Sequence, residues 1–288
     1  MLGKLVKHEW KATYKLNLGL IAILAGLTIL GCLSFCTPLW TNAFQDIDAG
    51  FTFTDLTGIM SLIFYFIGIF GVLWGLIIYL GVHFYRNMYS SEGYLTHTLP
   101  ASSHQLLISR ILVGGIWYLI LQVLIVLSIF IVIFSMLGIM YRAITGEASL
   151  WTYIMQNQDE VMKLLNEVFG SMYNMDAVAG FLYFIFTTIL GAFVFVMTLY
   201  GAITIGQLSA KHKVMMSIVS YIVISMIKGI IAYVVALPSL FYVTNDIYSG
   251  YSSTTISANL INVLINLVLS VGLYFISNYI ITRKLNLE

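Results

Sequence analysis

The sequence predicts an all-α, polytopic membrane protein with six transmembrane helices, an N-terminal amphipathic helix and a short cytoplasmic helix between the second and third spans. Three observations predict the spans: 60% of the residues are apolar and only 9% charged, mean hydropathy is +0.96, and uninterrupted apolar segments reach 20 residues or more. Soluble domains carry about 25% charged residues, and about 20 apolar residues are what a helix needs to cross a ~30 Å hydrocarbon core. Strands of a membrane barrel alternate in pieces of about ten residues, and Leu119 to Met140 shows no such alternation.

Six segments fit the length requirement: residues 17–36, 58–82, 111–140, 177–206, 214–237 and 258–281. Cytoplasmic loops are enriched in Lys and Arg. With these spans, Lys4, Lys7, Lys11, Lys15, Arg86, Arg110, Lys211, Lys213, Arg283 and Lys284 fall on one side, against Arg142 and Lys163 on the other. The first side is therefore predicted to be cytoplasmic, with both termini in it. Asp46, Asp48, Asp55, Glu147, Asp159, Glu160, Glu167, Asp176 and Asp246 fall outside, and a missed span would scramble both sets. The first span loosely resembles a lipoprotein signal at Ile29 to Cys32. A patterned basic helix precedes it instead of a short charged region, so it reads as an uncleaved span.

Residues 1–16 place Leu2, Leu5, Val6, Trp10 and Tyr14 on one helical face, opposite Lys4, Lys7, His8, Lys11 and Lys15. Such a helix is expected to lie in the cytoplasmic interface, against anionic lipid. In the cytoplasmic segment 83–110, Gly93 and Pro100 divide the chain into three pieces. The second span is expected to continue to about Ser90, a short piece to follow over 94–99, and Ser102-x-x-Gln105 to act as a capping box opening the third helix. From Ser103 to Tyr141 that helix would measure about 58 Å at 1.5 Å per residue, so it should project beyond the lipid. The external segment 141–176 contains an amphipathic helix, with Val161, Leu164, Leu165, Val168 and Phe169 opposite Asp159, Glu160, Lys163 and Glu167. Residues 238–257 carry Pro238, Asn245, Gly250 and a Ser/Thr cluster, consistent with a loop or a re-entrant hairpin.

Several chemistries have no residues to carry them. No G-x-x-x-x-G-K-[ST] loop exists to cradle nucleotide phosphates, and no basic, aromatic-interleaved face points to nucleic acid. His8-Glu9 lacks the second histidine of a zinc protease helix, and no Cys/His set has metal-ligand spacing. No metal site is therefore expected. All five histidines fall on the cytoplasmic side, away from acidic clusters, and read as solvated surface. Cys32 and Cys36 read as free thiols. No acid lies within a span, which disfavours a proton-driven carrier and an aspartyl intramembrane protease.

Two polar features remain inside the bilayer. Lys228, in the fifth span, is a candidate for the translocation path, because ionisable residues in spans are costly and commonly functional. If the fifth helix broke early into a re-entrant turn, this lysine would instead snorkel to the interface. On the sixth span, Asn259, Asn262, Asn266, Ser270 and Ser277 recur at helical spacing, and can line a path or bond helices together. Gly71-x-x-x-Gly75 and Ala22-x-x-x-Gly26 are compatible with close helix packing.

The opening MLGKLVKHEWKAT, and above all SEGYLTHTLP over 91–100 followed by HQLLISR over 104–110, resembles the membrane permeases of type-2 ATP-binding-cassette exporters of Gram-positive bacteria. The motif match covers about forty residues, and the six-span layout extends it loosely. The resemblance implies an elbow helix, a coupling helix between spans two and three, and re-entrant structure before span six. It implies that Glu92, Gly93, Tyr94, Leu95, Thr96, Leu99 and Pro100 form the element that docks into an ATPase. It further implies two copies of a separate ATPase subunit that bind ATP and Mg, and a second permease, identical or homologous. This chain itself would be no enzyme and would hold no cofactor. The expected activity is outward movement of an amphipathic or hydrophobic molecule, such as an antimicrobial peptide, drug or lipid, across a bacterial cytoplasmic membrane. Two other readings compete: a non-transporting membrane sensor or scaffold acting through the cytoplasmic loop, and an ion-driven carrier.

Overall fold

The computed structural model describes residues 2–45, 50, 52–90, 93, 102–146, 150–173, 176–209, 211–242 and 251–283, with backbone alone over 168–173, 238–242 and 251–259. Among them are α1 (Leu2–Ser34), α2 (Pro38–Phe44), α3 (Phe53–Tyr89), α4 (Ser103–Thr145), α5 (Leu150–Gln156), α6 (Gln158–Tyr173), α7 (Ala177–Gly206), α8 (Lys213–Tyr242) and α9 (Tyr251–Arg283). No strand occurs among the described residues. Six helices, α1, α3, α4, α7, α8 and α9, are long and apolar enough to cross a membrane.

Helix starts follow local chemistry. At α3, the Asp55 carboxylate accepts from the Thr52 backbone N–H at 2.8 Å and from the Thr52 hydroxyl at 2.6 Å. This is the reach-back half of a capping box. At α4, the Ser102 hydroxyl accepts from the Gln105 backbone N–H at 3.3 Å, and the helix begins at Ser103 as the Ser-x-x-Gln pattern predicts. Ser102→Ala should therefore cost about 1 kcal/mol, read as a lowered thermal midpoint of the purified protein; an unchanged midpoint would show that the cap is idle.

The chain divides into two packed units. The first comprises Ala12–Ile78 and Ile120–Val161. Within it the α1, α3 and α4 segments meet at a hydroxyl chain: Thr28 Oγ1 lies 2.8 Å from Ser128 Oγ, which lies 3.0 Å from the Tyr65 hydroxyl. Tyr65 and Ser128 are buried. Close approach is made at Gly31, where an added Cβ would come 2.9 Å from Val132 and 3.1 Å from Tyr65. The small-residue steps singled out from sequence do not perform this role: a Cβ at Gly26 or Gly71 meets nothing within 4 Å, and at Gly75 it reaches Leu20 only at 3.6 Å. The short helix α2, opened by Pro38, was not expected, and the Trp40 indole N–H ties it back by donating to the Ser34 carbonyl at 3.0 Å.

The second unit comprises Met1–Lys11, Tyr79–Leu119 and Met162–Glu288. Here α7, α8 and α9 pack against one another. At the α7 to α8 turn, Gly206 lies against the Ser217 backbone, and an added Cβ would stand 2.5 Å from Ser217 Cα.

The loop 83–110 is helical at both ends, through Tyr89 and from Ser103, as expected. Three boundaries differ from expectation. The elbow of residues 1–16 is not a separate piece: α1 runs through it for 33 residues, and at the junction the Asn17 side-chain amide donates back to the Thr13 carbonyl at 3.0 Å within the same helix instead of capping a new one. Helix α8 passes Pro238 to reach Tyr242, and α9 begins at Tyr251, so helix covers much of the region read as loop or hairpin; residues 243–250 lie outside the described ones. The segment 141–176 holds α5 as well as the amphipathic α6.

Candidate functional site

Two polar clusters lie in the second unit. The first joins the N-terminal turns of α1 to the ends of α3 and α4. His83 Nε2 donates to the Glu9 carboxylate at 2.9 Å, since a carboxylate can only accept. In a neutral ring that places the proton on Nε2, and the Asn87 side-chain amide nitrogen lies against the same ring, 3.0 Å from Nε2 and 3.4 Å from Nδ1. The Asn87 backbone carbonyl accepts from the Arg110 guanidinium at 3.2 Å. Arg110 is only 5% exposed, and its second terminal nitrogen has no hydrogen-bond partner among the described residues. Beside this cluster Trp10 stacks on Trp117 with centroids 4.4 Å apart, Phe84 lies nearly parallel to Tyr200 at 4.0 Å, and the Tyr89 hydroxyl bonds Thr204 Oγ1 at 2.7 Å. The ends of α3 and α4 are thus tied to each other, to α1 and to α7.

This corrects the reading of His83 as solvated surface; His8, His104 and His212 are exposed as expected. His83 pairs with an acid in a partly buried setting. The pairing spans 74 positions, so neither residue's local sequence context betrays it. The signal in the sequence was Arg110, a cation at the very edge of a predicted span.

Between the two tied ends stands the segment carrying the family resemblance. Of the predicted docking residues, only Gly93 is described: it is buried and helical, and its N–H donates to the Ser90 carbonyl at 2.8 Å. An added Cβ there would stand 2.6 Å from the Met88 carbonyl oxygen, so the turn after α3 leaves no room for a larger residue. Glu92, Tyr94, Leu95, Thr96, Leu99 and Pro100 lie outside the described residues.

The second cluster is built around Lys228. Its ammonium donates to Thr198 Oγ1 on α7 at 2.5 Å and to Ser270 Oγ on α9 at 3.3 Å. Both hydroxyls direct their own protons into their own helices, Thr198 to the Val194 carbonyl at 2.6 Å and Ser270 to the Asn266 carbonyl at 2.7 Å. Each is therefore free to accept from the ammonium. No early break lets this lysine snorkel: α8 is continuous from Lys213 to Tyr242. The polar stripe of α9 continues from Ser270, because Asn266 Nδ2 donates to the Asn262 carbonyl at 2.9 Å and to its Oδ1 at 2.7 Å. The structure thus brings Lys228 together with Ser270, Asn266 and Asn262 and adds Thr198, which the sequence reading missed; the Asn259 side chain lies outside the described ones. Translocon scales put the cost of a lysine at mid-span at about 2.5–3.5 kcal/mol, and two neutral acceptors offset only part of it.

Alongside lies a cleft of about 470 Å³ between the first turns of α4, the middle of α7 and α9. Ser270 is on its wall, and His104 and Tyr274, hydrogen-bonded to each other, line it as well. Cys32 and Cys36 are free thiols. No group of three or more His, Cys, Asp or Glu side chains able to hold a metal occurs among the described residues.

These features define the class of protein: an all-helical, multi-pass membrane protein with a charged side chain held inside its apolar helices. Comparison of the chain with protein-family models, curated proteins and solved structures gives no match.

Proposed function

We propose that this chain is the transmembrane permease subunit of an ATP-driven exporter in a bacterial cytoplasmic membrane, with both termini inside. The observation that carries the reading is the setting of the 91–100 segment. In the chain, the sequence that resembles a motor-docking motif follows the end of α3 and precedes the start of α4, and those ends are cross-tied through Asn87, Arg110, His83 and Glu9 and through Tyr89 to Thr204. A push on such a segment cannot be absorbed by loose flanks. It is passed to α1 and α7, which is the mechanical requirement of a coupling element. Because the chain lacks a phosphate-binding loop, the ATP and Mg belong to separate ATPase subunits, two per assembly, and a second permease, identical or homologous, completes the path. The cargo is an amphipathic or hydrophobic molecule.

Affinity purification of the full chain from its native membrane should recover an ATPase subunit with measurable ATP hydrolysis. Glu92→Arg and Tyr94→Ala should each reduce that recovery about tenfold or more, the effect of removing an interface hot spot. Undiminished recovery in both variants, or labelling of residues 91–98 by a reagent confined to the outside of intact cells, would overturn the proposal. A membrane sensor or scaffold would recover no ATPase at all.

A further inference from the structure

We infer that the Lys228 cluster and the adjoining cleft form a binding site for an amphipathic anion: a single acyl or similar apolar chain in the cleft, with its carboxylate or other anionic head on the Lys228 ammonium, beside Ser270. As a cargo site this rests on the exporter reading; as a binding site it does not.

The charge argument comes first. Lys228 is the sole charged side chain within the six sequence-defined spans. Its ammonium bonds two hydroxyls that are both neutral acceptors, so among the described residues nothing compensates its positive charge. Among the described residues no carboxylate lies within ion-pair distance of it, the one pair being His83 with Glu9. An ammonium has three N–H groups, and these two bonds leave one for a ligand. In a low-dielectric span an approaching anion gains strongly from such a charge, and an approaching cation is repelled as strongly.

Depth and shape agree with this assignment. Lys228 lies 15 positions into α8, and Ser270 lies 13 positions before the end of α9, so both sit about 20 Å from the nearer cytoplasmic helix end at 1.5 Å per residue. That is well inside the hydrocarbon layer, where a small anion without an apolar body would not arrive. The cleft supplies the place for such a body. Its volume of about 470 Å³ falls in the range of about 300–1,000 Å³ usual for small-molecule sites. Ile108 of α4, Phe193 and Met197 of α7, and Leu267 and Val271 of α9 make its wall apolar. Ser270 joins the two halves, since it lines the cleft and accepts from Lys228.

The test uses the full chain in phosphatidylcholine nanodiscs with a diazirine-bearing palmitate as photoreactive probe. Adducts should map to the cleft faces of α4, α7 and α9. Unlabelled palmitate should compete about tenfold better than hexadecanol or hexadecylamine of the same length, the factor expected for one charge-assisted contact. Lys228→Gln should reduce labelling about tenfold, and Lys228→Arg should retain it. Met197→Trp, which fills the cleft but leaves the ammonium, should abolish it. Equal competition by hexadecylamine, or adducts scattered outside the cleft, would overturn the inference even if the Lys228 variants failed to fold. ATPase recovery measured on the same preparations separates the two readings. Selective palmitate binding without an ATPase removes the exporter and keeps the site; an ATPase without anion selectivity does the reverse.

Discussion

Replacing Glu9 by leucine should destabilise the protein by about 3 kcal/mol, the lower end of the range for removing one member of a buried ion pair. The lower end applies because the two side chains are not sealed: His83 is 18% and Glu9 12% exposed. The loss exceeds that of one hydrogen bond because Glu9 also faces the Arg110 guanidinium electrostatically, and without it two cationic or potentially cationic groups share a poorly hydrated site. Glu9→Gln keeps an oxygen that can accept from His83 and should lose about half as much, since only the charge is removed. The measurement is the thermal midpoint of the detergent-solubilised chain, with His83→Leu alone and combined with Glu9→Leu closing a double-mutant cycle. A loss below about 1 kcal/mol for Glu9→Leu, the level of an exposed pair, would show that the cluster holds nothing together.

The second large effect is expected at Gly206. A Cβ at this position meets the backbone of Ser217, with Cα at 2.5 Å, and a backbone cannot rotate away as a side chain can. Gly206→Val must therefore separate α7 from α8 at their shared turn. The same movement breaks the bond from Ser217 Oγ to the Ile203 carbonyl. The expected cost is about 3 kcal/mol or more, at the top of the overpacking range, seen as loss of the monodisperse species after solubilisation. Gly229→Ala is the control: a Cβ there meets nothing within 4 Å, so better helix propensity should leave stability unchanged or raised by up to about 1 kcal/mol. Equal behaviour of the two variants would refute the close approach at Gly206.

The spans were legible because their signal is additive. Twenty apolar residues in a row predict a crossing helix whatever surrounds them, and the six expected segments fall in α1, α3, α4, α7, α8 and α9. Caps written within four residues were legible too, as at Ser102. What escaped was set by partners distant in the chain. Nothing near Glu9 announces His83, and nothing near Lys228 announces Thr198, because helical neighbours at i+3 and i+4 are visible in a sequence while neighbours across a bundle are not. The failed small-residue steps show the same limit: Gly71 and Gly31 look alike in sequence, and only the facing helix decides which of them is a contact.

The hydroxyl chain of Thr28, Ser128 and Tyr65 has a fixed polarity. Thr28 spends its single proton on the Leu24 carbonyl at 2.8 Å, so it must receive from Ser128, and Ser128 must in turn receive from Tyr65. The three side chains form a one-way queue in which every donor is committed and reversal at any member orphans another. Deleting the last member, Tyr65→Phe, removes one link, whereas deleting the middle one, Ser128→Ala, strands groups on both neighbouring helices. A change of one oxygen atom thus has unequal consequences at positions that look equivalent.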